Sequence, residues 1–435
     1  MLGLLSPIWM RRGANWAARK YPGAVWAADF ENGQYYHSGR AQPLRKIVSD
    51  VRSTGIVLPD AHGVLQPVGP ATPGRTSKGL GVYGGAAPLI AYSDDFSTWS
   101  IQNDASVNQG AAIGADGLMS AGEVFGGAGQ SSSAIYFSLP NITDKRVKSC
   151  FRVKAGTASK LQFGIYQSGP GWFPQTSTIL AGPGVVSGPG LQALEGLGEE
   201  WTEVEVTLDG PQTGAAIKVY FYPDGATLST GKSVILDFAQ ATDNPAASII
   251  SPDLRTSGAL VARAACKPLV VQGAGSGPFP GFQPASPEIT FAVEWEGIPT
   301  AVGAAKFLAF LQNATNYGVN AGNQVALFMS APSSNLTLGV YDSGSSFVGG
   351  ASAGTAYNDG GRHRAVCYVN TTTKTLKLAV DGGAPVTFIS ATTFADNFGR
   401  LGLGFNKPGA MATSHANGEI GLAAAVSGDH FEAWR

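Results

Sequence analysis

The two-residue rhythm of the segment "WTEVEVTL" constrains this chain more than any other feature. Val204, Val206 and Leu208 fall on one face of an extended strand, and Glu203, Glu205 and Thr207 fall on the other. Pieces of similar length recur before residue 253 as "SAIYFSL", "KSCFRVKA", "KLQFGIYQ", "AAIKVYFYP" and "SVILDFAQA". After it come "EITFAVEWEG", "AAKFLAFLQ", "QVALFMSA", "NLTLGVYDS", "HRAVCYVN" and "TLKLAVDG". Turn-rich stretches such as "AGPGVVSGPG" separate them, and "VDGGAP" reads as a hairpin turn between two strands. With 59 glycines and only 14% charged residues, the chain suits short strands and tight turns over long helices. The fold class is therefore mainly β: tandem antiparallel β-sandwiches.

Composition shifts divide the chain into four. Residues 1–42 crowd Trp9, Trp16, Trp26, Tyr35 and Tyr36 among Arg11, Arg12, Arg19, Lys20 and Arg40. Such an arm cannot bury its aromatics by itself. It either docks on another chain, with Trp9, Arg11, Arg12, Trp16 and Trp26 as anchors, or folds back on its own body. Residues 43–90 carry the turn signals "LPDAHG" and "GPATPG" and read as a small β collar or linker. Residues 91–265 form the first sandwich and residues 266–435 the second, the Gly- and Pro-rich "QGAGSGPFPGFQPASP" lying near the boundary.

A net charge of −1 gives no field for nucleic acid or an anionic membrane surface. The start "MLGLLSPIWMRR" has the wrong charge order for a secretory signal and is too short to span a bilayer, so the protein reads as soluble. Cys150, Cys266 and Cys367 lack CxxC spacing and read as buried thiols from a reducing cytoplasm.

Catalytic chemistry finds little to stand on. Asp94 and Asp95 in "AYSDDFSTWS" are adjacent, so on an extended chain they point to opposite faces and make a poor acid/base pair. Glu294 and Glu296 share a strand face with Glu288 nearby, but charged residues on a solvent face explain them as well. The five histidines show no HxH or HExxH spacing, and "GAGSGPFPG" lacks the Lys-Ser/Thr of a phosphate loop. Sugar recognition is better served, because it needs exposed rings that stack on pyranoses. The candidates are Trp172 and Phe173 in "GPGWFPQ", Tyr220 and Tyr222 in "KVYFYPDG", Tyr317 in "NATNYGVN" and Tyr341 in "GVYDSG".

Several ordered segments resemble bacteriophage virion proteins, namely the fibres and spikes of phage or phage-like particles. "RSTGIVLPDAHGVLQPVGPATPG" and "GVYGGAAPLIAYSDDFSTWS" are similar to the segments that lead into a jelly-roll domain in those proteins, and "EEWTEVEVTL", "VYFYPDGATLSTGKSVILDFAQA" and "ASIISPDLRTSGALVARAAC" to those that close it. "HRAVCYVNTTTKTLKLAVDGGAPVTF" resembles a hairpin of concanavalin-like and laminin-G-like sandwiches. The resemblance implies a carbohydrate-binding-like jelly roll whose first and last strands lie side by side. A structural Ca²⁺ there would be held by Asp94 or Asp95 with Asp237; a plain strand-capping turn is the alternative. It further implies a non-enzymatic homo-oligomer on the virion surface, trimeric or pentameric, made in the bacterial cytoplasm. Such a protein attaches to other virion proteins through its N-terminus and adsorbs to host cell-surface polysaccharide. A depolymerase tailspike and a non-binding decoration protein are the alternatives.

Overall fold

The computed structural model describes residues 16–242 and 287–435, short stretches within each aside, together with residues 268–270. Described strands lie in antiparallel sheets, as the alternation predicts, and they build two sandwiches. Among the described residues no helix is long and apolar enough to cross a membrane.

One sandwich draws on both ends of the chain. Its first sheet runs Arg40–Ala41, Gln34–His37, Trp26–Asp29, Gly418–Ser427, Glu288–Glu296, Arg362–Asn370, Thr375–Val380 and Val386–Ile389, with Gly79–Val82 also on Gly418–Ser427. Its second sheet runs Phe347–Ala356, Asn335–Tyr341, Gln324–Met329, Lys306–Asn313, Phe398–Leu403, Pro268–Val270 and Val48–Asp50. Between them pack Trp26, Phe291, Trp295, Leu327, Leu338 and Leu378. Burial of such side chains contributes roughly 1.5–3 kcal/mol each, which fixes the two sheets face to face.

This corrects the expected linear order of arm, collar and two sandwiches. Where described, residues 16–83 supply strands to both sheets of the sandwich formed by residues 268–435. Trp26 is no docking anchor: it is 1% exposed, and its strand is flanked on both sides by partners. Trp16 is half-buried against the cluster of Tyr21, Phe431 and Trp434 on the outer face of the first sheet. Trp434 donates its indole N–H to the Pro22 carbonyl at 2.9 Å, so the helical residues 16–20 and the helix Phe431–Trp434 cover that face together. Trp9, Arg11 and Arg12 lie outside the described residues.

The other sandwich is inserted into the first. One sheet runs Ser106–Ala112, Ala121–Phe125, Ser233–Thr242, Lys148–Ala155, Thr202–Leu208 and Gln175–Ala181. The second runs Val185–Ser187, Gln192–Glu195, Lys160–Gln167, Ile217–Pro223, Ala134–Ser138 and Ser100–Gln102. Phe96 and Trp99 of "AYSDDFSTWS" enter its core, where Phe151 meets Phe163 and Phe221 at ring separations of 4.8 and 4.9 Å. Its two ends leave side by side: Pro88 bridges to Thr242, and the Leu89 N–H donates to the Ala241 carbonyl at 2.8 Å. Cys150 and Cys367 are buried and share no disulfide, while Cys266 lies outside the described residues.

Candidate functional site

Alternation on three neighbouring strands of the inserted sandwich sends one set of residues to the core and another to the outer face. Along Ile217–Pro223, Ile217, Val219 and Phe221 are core residues, leaving Lys218, Tyr220 and Tyr222 on the other side. Register then places Tyr220 opposite both Tyr136 and Gly164, Tyr222 opposite Gln162, and Lys218 opposite Tyr166. Cross-strand neighbours of this kind touch, so the outer face carries a strip of rings.

Trp172 completes it. The two-residue strand Gly171–Trp172 pairs with Tyr166 and Gln167, which lays the indole back across the sheet. Gly164 makes room: a Cβ there would sit 3.0 Å from Cε3 of Trp172, and one on Gly190 would sit 2.8 Å from its Cβ. The indole centroid lies 5.1 Å from Tyr166, 5.6 Å from Tyr220 and 6.0 Å from Tyr222. Tyr136 and Tyr220 are 4.9 Å apart, and Tyr220 stacks on Tyr222 at 5.6 Å. Tyr220 and Tyr222 form the floor, nearly buried, while Tyr136, Tyr166 and Trp172 stay half-exposed above them. Burial raises the Tyr222 pKa above its ordinary value and also raises that of Tyr220, against the opposing charge of Lys218. These phenols therefore keep their protons and can donate hydrogen bonds.

Charge is distributed unevenly along the strip. At one end Lys160 stands across from Glu195. Near it, burial works to raise the Asp224 pKa, but Thr230 hydrogen bonds and the charges of Lys160 and Lys232 hold it below its usual value. At the other end the Lys218 ammonium rests 4.3 Å from the centre of the Tyr136 ring and 6.0 Å from that of Tyr220.

The sheet on the far side of the inserted sandwich has a polar outer face that is covered. Lys148 pairs with Glu205 at 2.8 Å and Arg152 with Glu203 at 3.0 Å, all four side chains largely buried. The face of "WTEVEVTL" that carries Glu203 and Glu205 is thus an ion-paired one. Lys306 of the first sandwich has its pKa lowered to about 8, by burial first and by the charge of Lys148 second. The aromatic strip lies on the other sheet of the inserted sandwich from these ion pairs.

Of the residues proposed from sequence, Trp172, Tyr220 and Tyr222 come together here. Phe173 does not join them: it is 6% exposed, packs in the core, and its N–H bonds the Ile165 carbonyl at 2.9 Å. Consecutive residues of an extended chain face opposite ways, so exposing Trp172 buries its neighbour. Tyr341 lies in the other sandwich, 5.6 Å from Phe347 and 6.0 Å from Phe328. Tyr317 is outside the described residues. Tyr136 and Tyr166 were missed, although both sit at the outward parity of strands that were recognised.

Asp94, Asp95 and Asp237, the residues implied for a structural Ca²⁺, each meet protein groups. Asp95 caps the turn Phe96–Thr98, its carboxylate accepting from the Ser97 N–H at 3.2 Å and the Ser97 hydroxyl at 2.5 Å. Asp94 offers its carbonyl to the Gln109 amide at 2.8 Å. Asp237 is fully buried, 3.7 Å from the Arg152 guanidinium. Among the described residues no group of three or more His, Cys, Asp or Glu side chains is placed to hold a metal ion. The carboxylates weighed for glycoside cleavage are engaged as well. Glu294 meets Lys20 at 2.7 Å, Tyr21 at 3.1 Å and Arg364 at 3.7 Å, while Glu296 meets Lys78 and Arg362, each at 3.6 Å.

The class defined by these features is a β-sandwich protein carrying a second β-sandwich as an insertion, with a ring-lined outer face on the inserted unit. No protein-family model and no curated protein matches the chain. Among solved structures it is similar to the CBM40 of the Ruminococcus gnavus IT-sialidase bound to α2,6-sialyllactose: 13% identity, TM-score 0.26, 32% of this chain and 77% of that one. The NanB sialidase from Streptococcus pneumoniae matches at 16% identity and TM-score 0.26, over 34% of this chain and 23% of that one. Domains LG4-5 of the mouse laminin α1 chain match at 13% identity and TM-score 0.23, over 78% of this chain and 91% of that one. Likeness at this level assigns no ligand to the chain.

Proposed function

We propose that the protein is a glycan-binding protein whose inserted sandwich is the binding module. The observation that carries this reading is the contiguous strip of Tyr136, Tyr166, Trp172, Tyr220 and Tyr222 on the outer sheet face. Pyranose rings present apolar C–H faces that stack on such a floor, and the phenol hydroxyls and the Gln162 amide around it can meet ring hydroxyls. The test is a glycan array probed with the full chain and with Trp172→Ala. Binding by the wild type that falls at least tenfold in the variant supports the reading, and a wild type that binds no glycan removes it.

The finer reading is a fibre or spike of a phage-like particle that adsorbs to host cell-surface polysaccharide. The resemblance of residues 52–266 to virion proteins supports it. A shallow face binds weakly, so a homo-oligomer of three or five copies would raise avidity by presenting several faces at once. Attachment to the particle through Trp9, Arg11 and Arg12 belongs to this proposal, and Trp26 does not. Labelling the chain on intact particles tests it, and absence of label from the virion surface would defeat it. We propose further that the protein binds without cleaving, a reading supported by the ion pairs that hold Glu294 and Glu296. New reducing ends from host polysaccharide, lost in Glu294→Gln or Glu296→Gln, would favour a depolymerase instead.

A further inference from the structure

The aromatic strip is not electrically neutral along its length. Lys160 and Lys232 offset Glu195 and Asp224 at one end. Lys218 stands at the other, and among the described residues no carboxylate lies within ion-pair distance of its ammonium. Among the described residues its neighbours are uncharged: Tyr166 directly across one strand gap, Ser138 across the other, and Tyr136 and Tyr220 under the ammonium, which also hydrogen-bonds Tyr220. A half-buried lysine on a ring face is held at the surface of the floor instead of swinging free in water, which lowers the ordering cost of using it.

Tyr166 links this cation to the half-exposed indole of Trp172. It lies opposite Lys218 in register, and its ring is 5.1 Å from that of Trp172. A sugar stacked on Trp172, with its edge against Tyr166, whose ring stands at 64° to the indole, therefore has Lys218 one strand gap beyond Tyr166, within the reach of a four-carbon stem. A ring-borne carboxylate directed to that side would gain a charge-assisted hydrogen bond in a setting partly shielded from water. A neutral sugar would leave the ammonium without a counter-charge.

We infer that the strip selects acidic glycans, those whose sugars carry a carboxylate, with Lys218 pairing with the carboxylate while Trp172 and Tyr166 hold the ring. This rests on the reading of the face as a glycan site, and the experiment separates the two. The full chain is titrated with alginate, polygalacturonate and polysialic acid, each alongside its carboxyl-reduced form. The expected result is at least one acidic polymer bound about tenfold more tightly than its reduced partner, an advantage that shrinks as NaCl rises from about 50 to 500 mM. Lys218→Gln should erase the advantage, so that the two members of a pair bind alike, while Trp172→Ala should weaken both. Equal affinity for the two members of every pair, dependent on Trp172, would overturn the acid preference and leave the glycan reading standing. An acid preference that survives in Lys218→Gln would overturn the role of Lys218. Failure to bind any member of any pair would overturn both.

Discussion

Gly164 shows how a single position opens the candidate site. The indole of Trp172 occupies the space above it, at a separation a real side chain would have to violate. Gly164→Val should displace the ring and cut glycan affinity at least tenfold. Because the position faces outward, the melting temperature should move by only a few degrees, which calorimetry on the variant would check. His363 offers a second test. Burial alone would lower its pKa, but hydrogen bonds to Asp381 and Asp359, both at 2.9 Å, outweigh that and raise it. A raised folded-state value means the contribution is fully present below the unfolded value of about 6.5 and is lost as pH climbs through the folded value. The difference in melting temperature between the wild type and His363→Gln should therefore be larger at pH 6 than at pH 8.5. Residue by residue, the sequence disclosed Trp172 and the Tyr220–Tyr222 pair, since a Trp between Gly and Pro and an alternating pair of tyrosines leave visible marks. Tyr136 and Tyr166 hid inside ordinary strand patterns, between the core residues Ile135 and Phe137 and beside Ile165. Only a sheet register tells that they share a face with Trp172.

Among the elements, Thr202–Leu208 was legible and Trp26–Asp29 was not, for opposite reasons. The first has one apolar face and one charged face, so its local rhythm names it a strand. The second reads "WAAD", three buried residues and a half-buried Asp29, with Trp26 and Ala28 toward the core and Ala27 toward the covering cluster. A strand without alternation has no periodic signal, and its partner Gly418–Ser427 lies near the other end of the chain. Crowded aromatics in such a place look like an arm, when they are a wedge in the middle of a sheet. Trp26→Ala should cost about 3–5 kcal/mol, read from denaturant unfolding of the full chain. Deleting residues 16–42 should abolish folding of the outer sandwich, visible as loss of one calorimetric transition. If that truncation instead kept every transition, the strand pairing with Gly418–Ser427 would be wrong.

At the scale of the whole molecule the two cores are separate. Residues 89–241 include every member of one core cluster, and the outer sandwich draws its own from residues 26–83 and 289–425. A unit of that size buries enough apolar surface to fold alone. Residues 88–242 produced by themselves should melt cooperatively, and the chain with residues 89–241 replaced by a short Gly-Ser link should keep the transition of the outer sandwich. Sequence revealed that there are two sandwiches but not their nesting, because insertion is a relation between distant strands and turn signals are local. The adjacency of Pro88 and Thr242 also has a mechanical meaning. Tension applied to the two ends of the outer sandwich travels through the hydrogen-bonded ladder between Trp26–Asp29 and Gly418–Ser427. The inserted unit hangs from neighbouring strands, so the same pull has no lever by which to stretch it. Its ring-lined face would keep its shape while the remainder of the protein is under load.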